Sequence, residues 1–246
     1  DQDMTTKEGL QFALTEIRKD PIGKLMLWSS IPCTGGCPFQ LVNKRIYIKT
    51  GNAAGLKLLA NHWKSYRALW KNLEILAEAI FRRQGIIAIE WHQKCMYWYD
   101  PRVTAWLKKH TLESVNFHGC MYGTMTWDGQ LLKKPWAVKT NGNHLIAKLH
   151  RECNHKYKHP AARGDNLKAT ENYTDELVAV VHDAFGKIVH ETFGKTAVNH
   201  KHDDNMAQTS TRAAPCVPCI VADSSGCPCE SASDTSHPLS IRSSTS

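Results

Sequence analysis

The chain has 246 residues, a formal net charge of +8 and an apolar content of 42%, which allow one α/β domain with a real core plus an appendage. No apolar run approaches the roughly 20 residues of a membrane span, and no signal peptide is recognisable, so we expect an intracellular protein, nuclear or cytoplasmic, without a membrane partner. Because the sequence begins at Asp1 rather than at a methionine, we also expect it to be a piece of a longer protein.

The first half of the chain predicts two helices and one strand. A helix begins at the N-cap Thr5, with Glu8 three residues later, in the pattern of a capping box. An apolar strand over 24–31 follows, and a loop is predicted over 33–43. Apolar residues that recur at spacings of three and four then predict a long helix over 53–83.

The second half continues the alternation of strands and helices. This alternation favours a three-layer α/β fold, in which a mostly parallel sheet carries helices on both faces. The predicted elements are strands over 86–90, 114–117 and 136–140, helices over 101–109 and 175–185, and a turn or hairpin over 122–134.

Composition divides the chain near residue 195. Every Phe, Trp and Tyr lies at or before Phe193, whereas residues 196–246 are rich in Ser, Thr, Asp, Pro and Cys. Such a segment cannot bury enough apolar surface to offset the entropy lost on ordering it. We therefore predict a folded domain over 1–195 and a disordered tail over 196–246.

The net charge also differs between the two parts of the chain. Residues 196–246 carry three Lys and Arg against five Asp and Glu, a net charge of −2, which leaves +10 for residues 1–195. A basic domain suits a polyanionic partner such as nucleic acid, although many basic proteins bind none. Nine cysteines, an odd number without a secretory signal, argue against a disulfide framework and leave Cys33 as a free thiol.

Two predicted strands end in groups that can do chemistry. One apolar run leads into Pro32-Cys33, and a second ends at Glu90, 57 positions after Cys33. Ligands of open α/β sheets bind beyond the carboxyl ends of the strands, so we expect the thiol and the carboxylate to face one cleft. The alternatives are that Cys33 is a small apolar residue at a strand end and that Glu90 is a surface or capping carboxylate.

The order of these motifs resembles the catalytic domain of cytosine-C5 methyltransferases. Along the chain, that family has a Pro-Cys dipeptide, then a Glu at the end of a strand, then a Tyr-Gly followed by a basic segment. The motifs in the same order here are Pro32-Cys33, Glu90, Tyr122-Gly123 and Lys133-Lys134. The resemblance covers roughly residues 3–140. It implies a Rossmann-like sheet and an enzyme that depends on S-adenosylmethionine.

The resemblance also implies residue roles. Cys33 would attack C6 of the base, which activates C5, while Glu90 would engage N3 and the exocyclic amine. Asp3 and Pro32 would contact the cofactor. Trp91, Lys133 and Lys134 would contact the nucleic-acid substrate, whose target base must leave its stack. The family's glycine-rich cofactor loop would precede Asp1.

Three features carry a second resemblance: the segments 31–36 and 117–123, and Cys153 followed by His155 and His159. With these features the stretch is also similar to a domain found in mobile-element (retrotransposon) polyproteins of protists. The chain also departs from the methyltransferase motifs. Trp91-His92 stand where the methyltransferases have Asn-Val after the Glu, and lysines stand where they have arginines. A second hypothesis is therefore a catalytically inactive descendant that serves such a polyprotein as a nucleic-acid-binding module.

A third hypothesis is an interaction domain stabilised by zinc. His150, Cys153, His155 and His159 form H-x2-C-x-H-x3-H, with Cys120 as a further possible ligand. Thiolate and imidazole at these spacings suit a tetrahedral zinc, with Cys153, His155 and His159 as the predicted ligands. The alternative is a basic loop that contacts phosphate or solvent. The tail cysteines 216, 219, 227 and 229 have poorer spacing and are not predicted to hold an ordered metal.

Overall fold

Four strands form one open sheet in the computed structural model, which describes residues 3–161 and 172–198. The strand order is β1-β2-β4-β3, with β1 parallel to β2 and with β4 antiparallel to both β2 and β3. The chain is therefore an α/β protein with a mixed sheet. The strands are β1 (Met26–Ser29), β2 (Ile86–His92), β3 (Glu113–His118) and β4 (Pro135–Thr140).

The expectation of a mostly parallel sheet is wrong because β4 enters between β2 and β3. The strands β1, β2 and β3 run in one direction within one sheet, as predicted, but only β1 and β2 are parallel neighbours. Parallel neighbours need a long crossover, whereas the segment over 119–134 reverses the chain through Gly123 and Gly129, both at positive φ (72° and 81°). The reversal makes β4 antiparallel to the strand before it.

Helices cover both faces of the sheet, which confirms the three-layer arrangement. On one face lie α1, α3 and α4, and on the other lie α5 and α6. The helices are α1 (Lys7–Lys19), α2 (Phe39–Lys49), α3 (Ala53–Arg82), α4 (Pro101–Lys109), α5 (Asn143–Leu149) and α6 (Asp175–Val198).

The alternation of side chains along the strands gives each face its own core. Ile87 and Ile89 of β2 point to the first layer of helices, whereas Ile86 and Ala88 point to the second. We call the first cluster the α3-side core; its large members include Tyr66, Trp70, Ile80, Trp91 and Trp106. We call the second the α6-side core; its large members include Trp28, Phe117, Trp136, Leu145, Leu177 and Phe185.

Two local predictions differ from the structure. The N-cap of α1 is Thr6 rather than Thr5: the Thr6 hydroxyl accepts the Gly9 N–H at 3.0 Å, while the Thr5 hydroxyl donates to Asp3 at 2.7 Å. The predicted loop over 33–43 contains the first half of α2. No residue of α2 is buried, although Phe39, Val42 and Ile46 recur at helical spacing, and the loop prediction missed this pattern.

The predicted tail over 196–246 lies largely outside the described residues. The last helix continues to Val198, and residues 199–246, with the tail cysteines, are not described. None of the helices that the structure describes is long and apolar enough to cross a membrane.

Candidate functional site

The carboxyl ends of β1 and β2 bring the predicted thiol and carboxylate to one edge of the sheet. The parallel register pairs Ser29 with Ile89, which sets Ser30 beside Glu90, and Cys33 follows three residues later. Burial raises the pKa of the neighbouring Cys95 thiol, and Cys33 and Glu90 raise it further through their charge. Both groups therefore lie within electrostatic reach of a single buried thiol.

The Glu90 carboxylate is engaged within the protein. It is only 5% exposed, and its Oε2 accepts hydrogen bonds from the Ser30 hydroxyl at 2.6 Å and from the Tyr173 hydroxyl at 2.7 Å. The Trp28 indole N–H donates to the Tyr173 oxygen at 3.1 Å. Burial, and then the charge of Glu90, raises the pKa of Tyr173 well above its ordinary value, so the phenol remains a donor. The Glu90 Oε2 atom is therefore held by two hydroxyl donors within the protein.

Glu90 and Cys33 have different neighbours at this edge of the sheet. Strand alternation directs Glu90 to the same face as Ala88, and its partner Tyr173 packs against the α6-side core. Cys33 is half-buried and packs against the α3-side core. Because Cys33 follows the end of β1 by four residues, strand alternation does not fix the side that its thiol faces, and a common cleft with Glu90 stays a prediction.

Trp91 lies in the core rather than at a surface open to a base. It is 2% exposed, and its indole N–H donates to the Ile31 carbonyl at 2.7 Å, just before Pro32. The ring packs against Trp98 with centroids 4.5 Å apart and against Trp70 at 5.8 Å. Pro32 follows Ile31 in the chain and is half-buried.

Asp3 is an exposed residue that stabilises the turn before α1. Its Oδ1 accepts the Thr5 N–H at 2.8 Å and the Thr5 hydroxyl at 2.7 Å, and these bonds lower the pKa of the carboxyl. The turn packs closely on α1, because a Cβ on Gly9 would lie 2.1 Å from the Asp3 carbonyl oxygen. Asp3 therefore has a structural role, and its contact with a cofactor stays a prediction.

Of the two predicted lysines, Lys133 lies near the Cys/His residues, whereas Lys134 lies over Trp136. Lys134 extends over the Trp136 ring, with Nζ 4.8 Å from its centroid. Burial raises the pKa of Cys120 to about 12, and Lys133 counters part of this rise through its charge. Lys133 is exposed, so its ammonium group faces both solvent and the edge of the Cys/His cluster.

Four side chains converge on a candidate metal centre. The ligand atoms of Cys120, Cys153, His155 and His159 all lie within 4.8 Å of one another. The Cys153 sulfur lies 3.4 Å from His155 Nδ1 and 3.1 Å from His159 Nε2. Two sulfurs and two imidazole nitrogens at these separations could hold one metal ion. The sequence predicted three of these residues and left Cys120 as a possibility.

Backbone contacts hold the ligands in place. Cys120 lies on the short 3-10 turn Gly119–Tyr122 that follows β3. The Cys153 N–H donates to His118 Nδ1 at 2.8 Å, and the His118 N–H donates to the Arg151 carbonyl at 3.0 Å, so the segment after α5 is tied to the end of β3. The exposed His150 is outside the cluster.

The hydrogen-bond partners of the ligands suit metal binding. His159 Nδ1 lies 2.8 Å from the Leu131 carbonyl, which can only accept, so this nitrogen carries the proton and Nε2 is left as a ligand. Burial raises the pKa of the Cys153 thiol, but the His155 backbone N–H and the His159 and Cys120 side chains outweigh it and lower the pKa to about 6. Cys153 is therefore a thiolate near neutral pH, the form that binds metals.

Sequence reasoning missed the partners of Glu90. Ser30 precedes the Pro-Cys dipeptide and was included only in the apolar run, although it lies directly across from Glu90 in the parallel pair. Tyr173 is 83 positions from Glu90 and has no spacing that would connect the two. Only Ser30 could have been predicted from the sequence, because it lies near the end of the first predicted strand, as Glu90 lies at the end of the second.

Comparison with known proteins gives this chain no family assignment. The features that bear on function are the metal centre, the hydrogen-bonded Glu90 carboxylate and the distribution of charge. No protein-family model matches the chain, and no curated protein or solved structure is significantly similar to it.

Proposed function

We propose that this chain is a nucleic-acid-binding domain that is stabilised by a structural zinc ion and transfers methyl groups weakly or not at all. The observation that carries the proposal is the convergence of Cys120, Cys153, His155 and His159 within 4.8 Å. Two thiolates and two imidazoles form a closed tetrahedral set, which is typical of structural zinc and leaves no position for a substrate. Thiolate ligands also disfavour magnesium and calcium, which prefer oxygen.

The segment over 150–161 explains why a metal would be needed. It has no helix or strand, and it contributes three of the four ligands. Such a segment has no regular hydrogen bonds to offset the entropy lost on ordering it. Its position therefore depends on its hydrogen bonds to His118 of β3 and on the metal centre. A zinc ion would hold the segment against the turn at Cys120 and complete the edge of the domain.

Charge supports a nucleic acid as the partner. Residues 21–73 contain eight Lys and Arg and no Asp or Glu, and residues 1–195 carry a net +10. A surface with this excess of positive charge attracts polyanions and releases condensed counterions when it binds them. We expect binding that weakens steeply as salt concentration rises.

Cytosine-C5 methyl transfer is the second candidate, and the placement of Cys33 and Glu90 after adjacent parallel strands favours it. A Rossmann-like methyltransferase fold, a mobile-element origin and S-adenosylmethionine as cofactor belong to the same proposal. The exposed Asp3 accepts two hydrogen bonds from Thr5 at Oδ1, and its contact with the cofactor belongs to the same proposal. The engaged Glu90 carboxylate favours binding over turnover, so we derive no cofactor-dependent step.

One experiment separates binding from turnover. The zinc-loaded chain is incubated with labelled S-adenosylmethionine and nucleic acid, beside a Cys33→Ala variant. Binding is measured in parallel at low and high salt. We expect salt-sensitive binding by both proteins and little or no label transfer. Robust transfer that is lost in Cys33→Ala would identify an enzyme, and a lack of binding at low salt would contradict the proposed function.

Acidification should release the zinc in a defined range. The pKa of Cys153 is lowered from 9.0 to about 6, so the folded state favours the thiolate. The sign follows: in the metal-free chain the contribution of the thiolate to stability is complete above pH 9 and is lost as the pH falls through about 6. Bound zinc favours the thiolate further, so we expect zinc per chain, measured after dialysis, to be constant down to about pH 6 and to be lost only below it, where protons compete with the metal. Loss of zinc between pH 9 and pH 7 would contradict this reading of the centre.

A further inference from the structure

Two aromatic side chains beside the metal centre are exposed to an extent that folding alone does not explain. Trp127 is 74% exposed and Tyr157 is 53% exposed. An exposed tryptophan contributes little to stability, since its large apolar surface remains in water. Large exposed aromatic groups of this kind indicate a binding surface when other observations agree.

Both aromatic residues are held at the metal centre. Trp127 lies at the tip of a small loop that is closed by an isolated bridge between Met125 and Leu131, and the Leu131 carbonyl contacts His159. The Tyr157 ring lies 5.0 Å from the rings of both His155 and His159. One aromatic residue is therefore carried by the loop that buttresses a ligand, and the other packs directly on two ligands.

Basic residues accompany Tyr157 and the metal centre. Lys156 and Lys158 flank Tyr157, and Lys133 faces the cluster from the β3–β4 connection; all three are exposed. None of the carboxylates in the described part of the chain pairs with them, whereas Lys148 and Arg151 are paired with Asp183 and Glu176. Residues 119–161 contain seven Lys and Arg and only two acidic residues. The face is positively charged as well as aromatic.

We propose that this face, defined by Trp127, Lys133, Lys156, Tyr157 and Lys158, binds single-stranded nucleic acid by stacking bases on the two rings. The proposal rests on the proposed function and names the partner class and the surface. Exposed rings interleaved with basic groups provide the stacking and phosphate contacts that sequence-tolerant single-strand binding requires. Duplex bases are already stacked on one another, so the two rings offer a duplex much less than they offer a single strand.

The test uses the zinc-loaded full chain and a short fluorescent single-stranded oligonucleotide, with binding followed by anisotropy. The double variant Trp127→Ala/Tyr157→Ala should weaken binding by at least about 10-fold, because stacking on each aromatic ring contributes about fivefold or more per base. Binding to a duplex of the same length should change by less than about threefold. Zinc content and circular dichroism of the variant verify the fold.

A matched pair of charge variants locates the surface. The triple variant Lys133→Gln/Lys156→Gln/Lys158→Gln should weaken binding and flatten its salt dependence. The control removes three exposed basic residues from α2, as Lys44→Gln/Arg45→Gln/Lys49→Gln, and should retain most of the binding. This pair also keeps the proposal testable if the aromatic double variant fails to fold.

The outcomes distinguish the two levels of the proposal. Equal losses in both triple variants, or a loss confined to the α2 variant, would overturn the assignment of the surface but leave nucleic-acid binding intact. Equal weakening of single-strand and duplex binding in the aromatic variant would overturn the stacking role. A wild-type chain that binds neither nucleic acid at low salt would overturn the proposed function itself.

Discussion

Replacing Cys153 by Ser should abolish stoichiometric zinc binding and strongly destabilise the domain. Cys153 is the ligand whose sulfur contacts both histidines, at 3.4 and 3.1 Å, and these surroundings lower the pKa of its thiol to about 6. Loss of a structural metal is among the few changes that cost more than about 4 kcal/mol. In a domain of this size, that loss corresponds to a fall of about 8–16 °C in Tm.

The measurement is zinc per chain by atomic emission together with Tm by circular dichroism. The matched control is Cys37→Ser, which changes a half-buried thiol outside the Cys/His cluster. We expect the control to keep one zinc and most of the Tm. If Cys153→Ser retained one tightly bound zinc, or if both variants had the same Tm as the unmodified chain, the centre would not be structural.

Replacing Trp91 by Ala should lower the free energy of unfolding by about 3–5 kcal/mol, the usual cost of truncating a buried large aromatic side chain. The residue is 2% exposed, packs on Trp70 and Trp98, and donates a hydrogen bond to the Ile31 carbonyl. The truncation removes the ring contacts and leaves that buried carbonyl without its donor, which adds to the cost.

Urea unfolding at fixed zinc concentration measures this loss. Trp127→Ala is the control, because it removes the same side chain from a 74% exposed position, and it should change stability by less than about 0.5 kcal/mol. We therefore expect Trp91→Ala to lower stability and Trp127→Ala to lower nucleic-acid binding. A stable Trp91→Ala chain that has lost binding would instead assign Trp91 to the substrate, as the methyltransferase resemblance implies.

Long periodic segments of this sequence predict the fold well. The apolar spacing over 53–83 closely predicts α3, and the Pro at 101 with the preceding Asp predicts the start of α4. Short apolar runs place β1, β2 and β3 correctly in one sheet. These signals are local, because an element that buries one face has to carry apolar residues at its own period.

Features that depend on distant contacts are not predictable in this way. The reversal of β4 depends on how the chain turns between β3 and β4, and its place between β2 and β3 depends on long-range pairing. The sequence also does not show that α2 leaves Phe39, Val42 and Ile46 exposed, because burial of a helix face depends on what packs against it.

The candidate site shows the same limit. Cys153, His155 and His159 lie within seven residues and could be grouped from their spacing. Cys120 joins them only because the end of β3 is tied to the segment after α5. Likewise, the sequence placed Glu90 at the end of a strand, but the hydroxyl of Tyr173 that closes over it comes from beyond β4 and α5. Tertiary contacts, rather than residue types, determine what these groups can do.

A zinc titration of the metal-free chain, followed by anisotropy of a labelled single-stranded oligonucleotide at low salt, tests most directly whether a zinc centre supports a nucleic-acid-binding surface. We predict that binding appears as zinc is added, saturates at one zinc per chain, and fails to appear in Cys153→Ser. Because Tyr157 and its flanking lysines lie on the segment that carries three of the ligands, the surface should form only when the centre does. Binding that is complete without zinc, and unchanged in Cys153→Ser, would contradict the account.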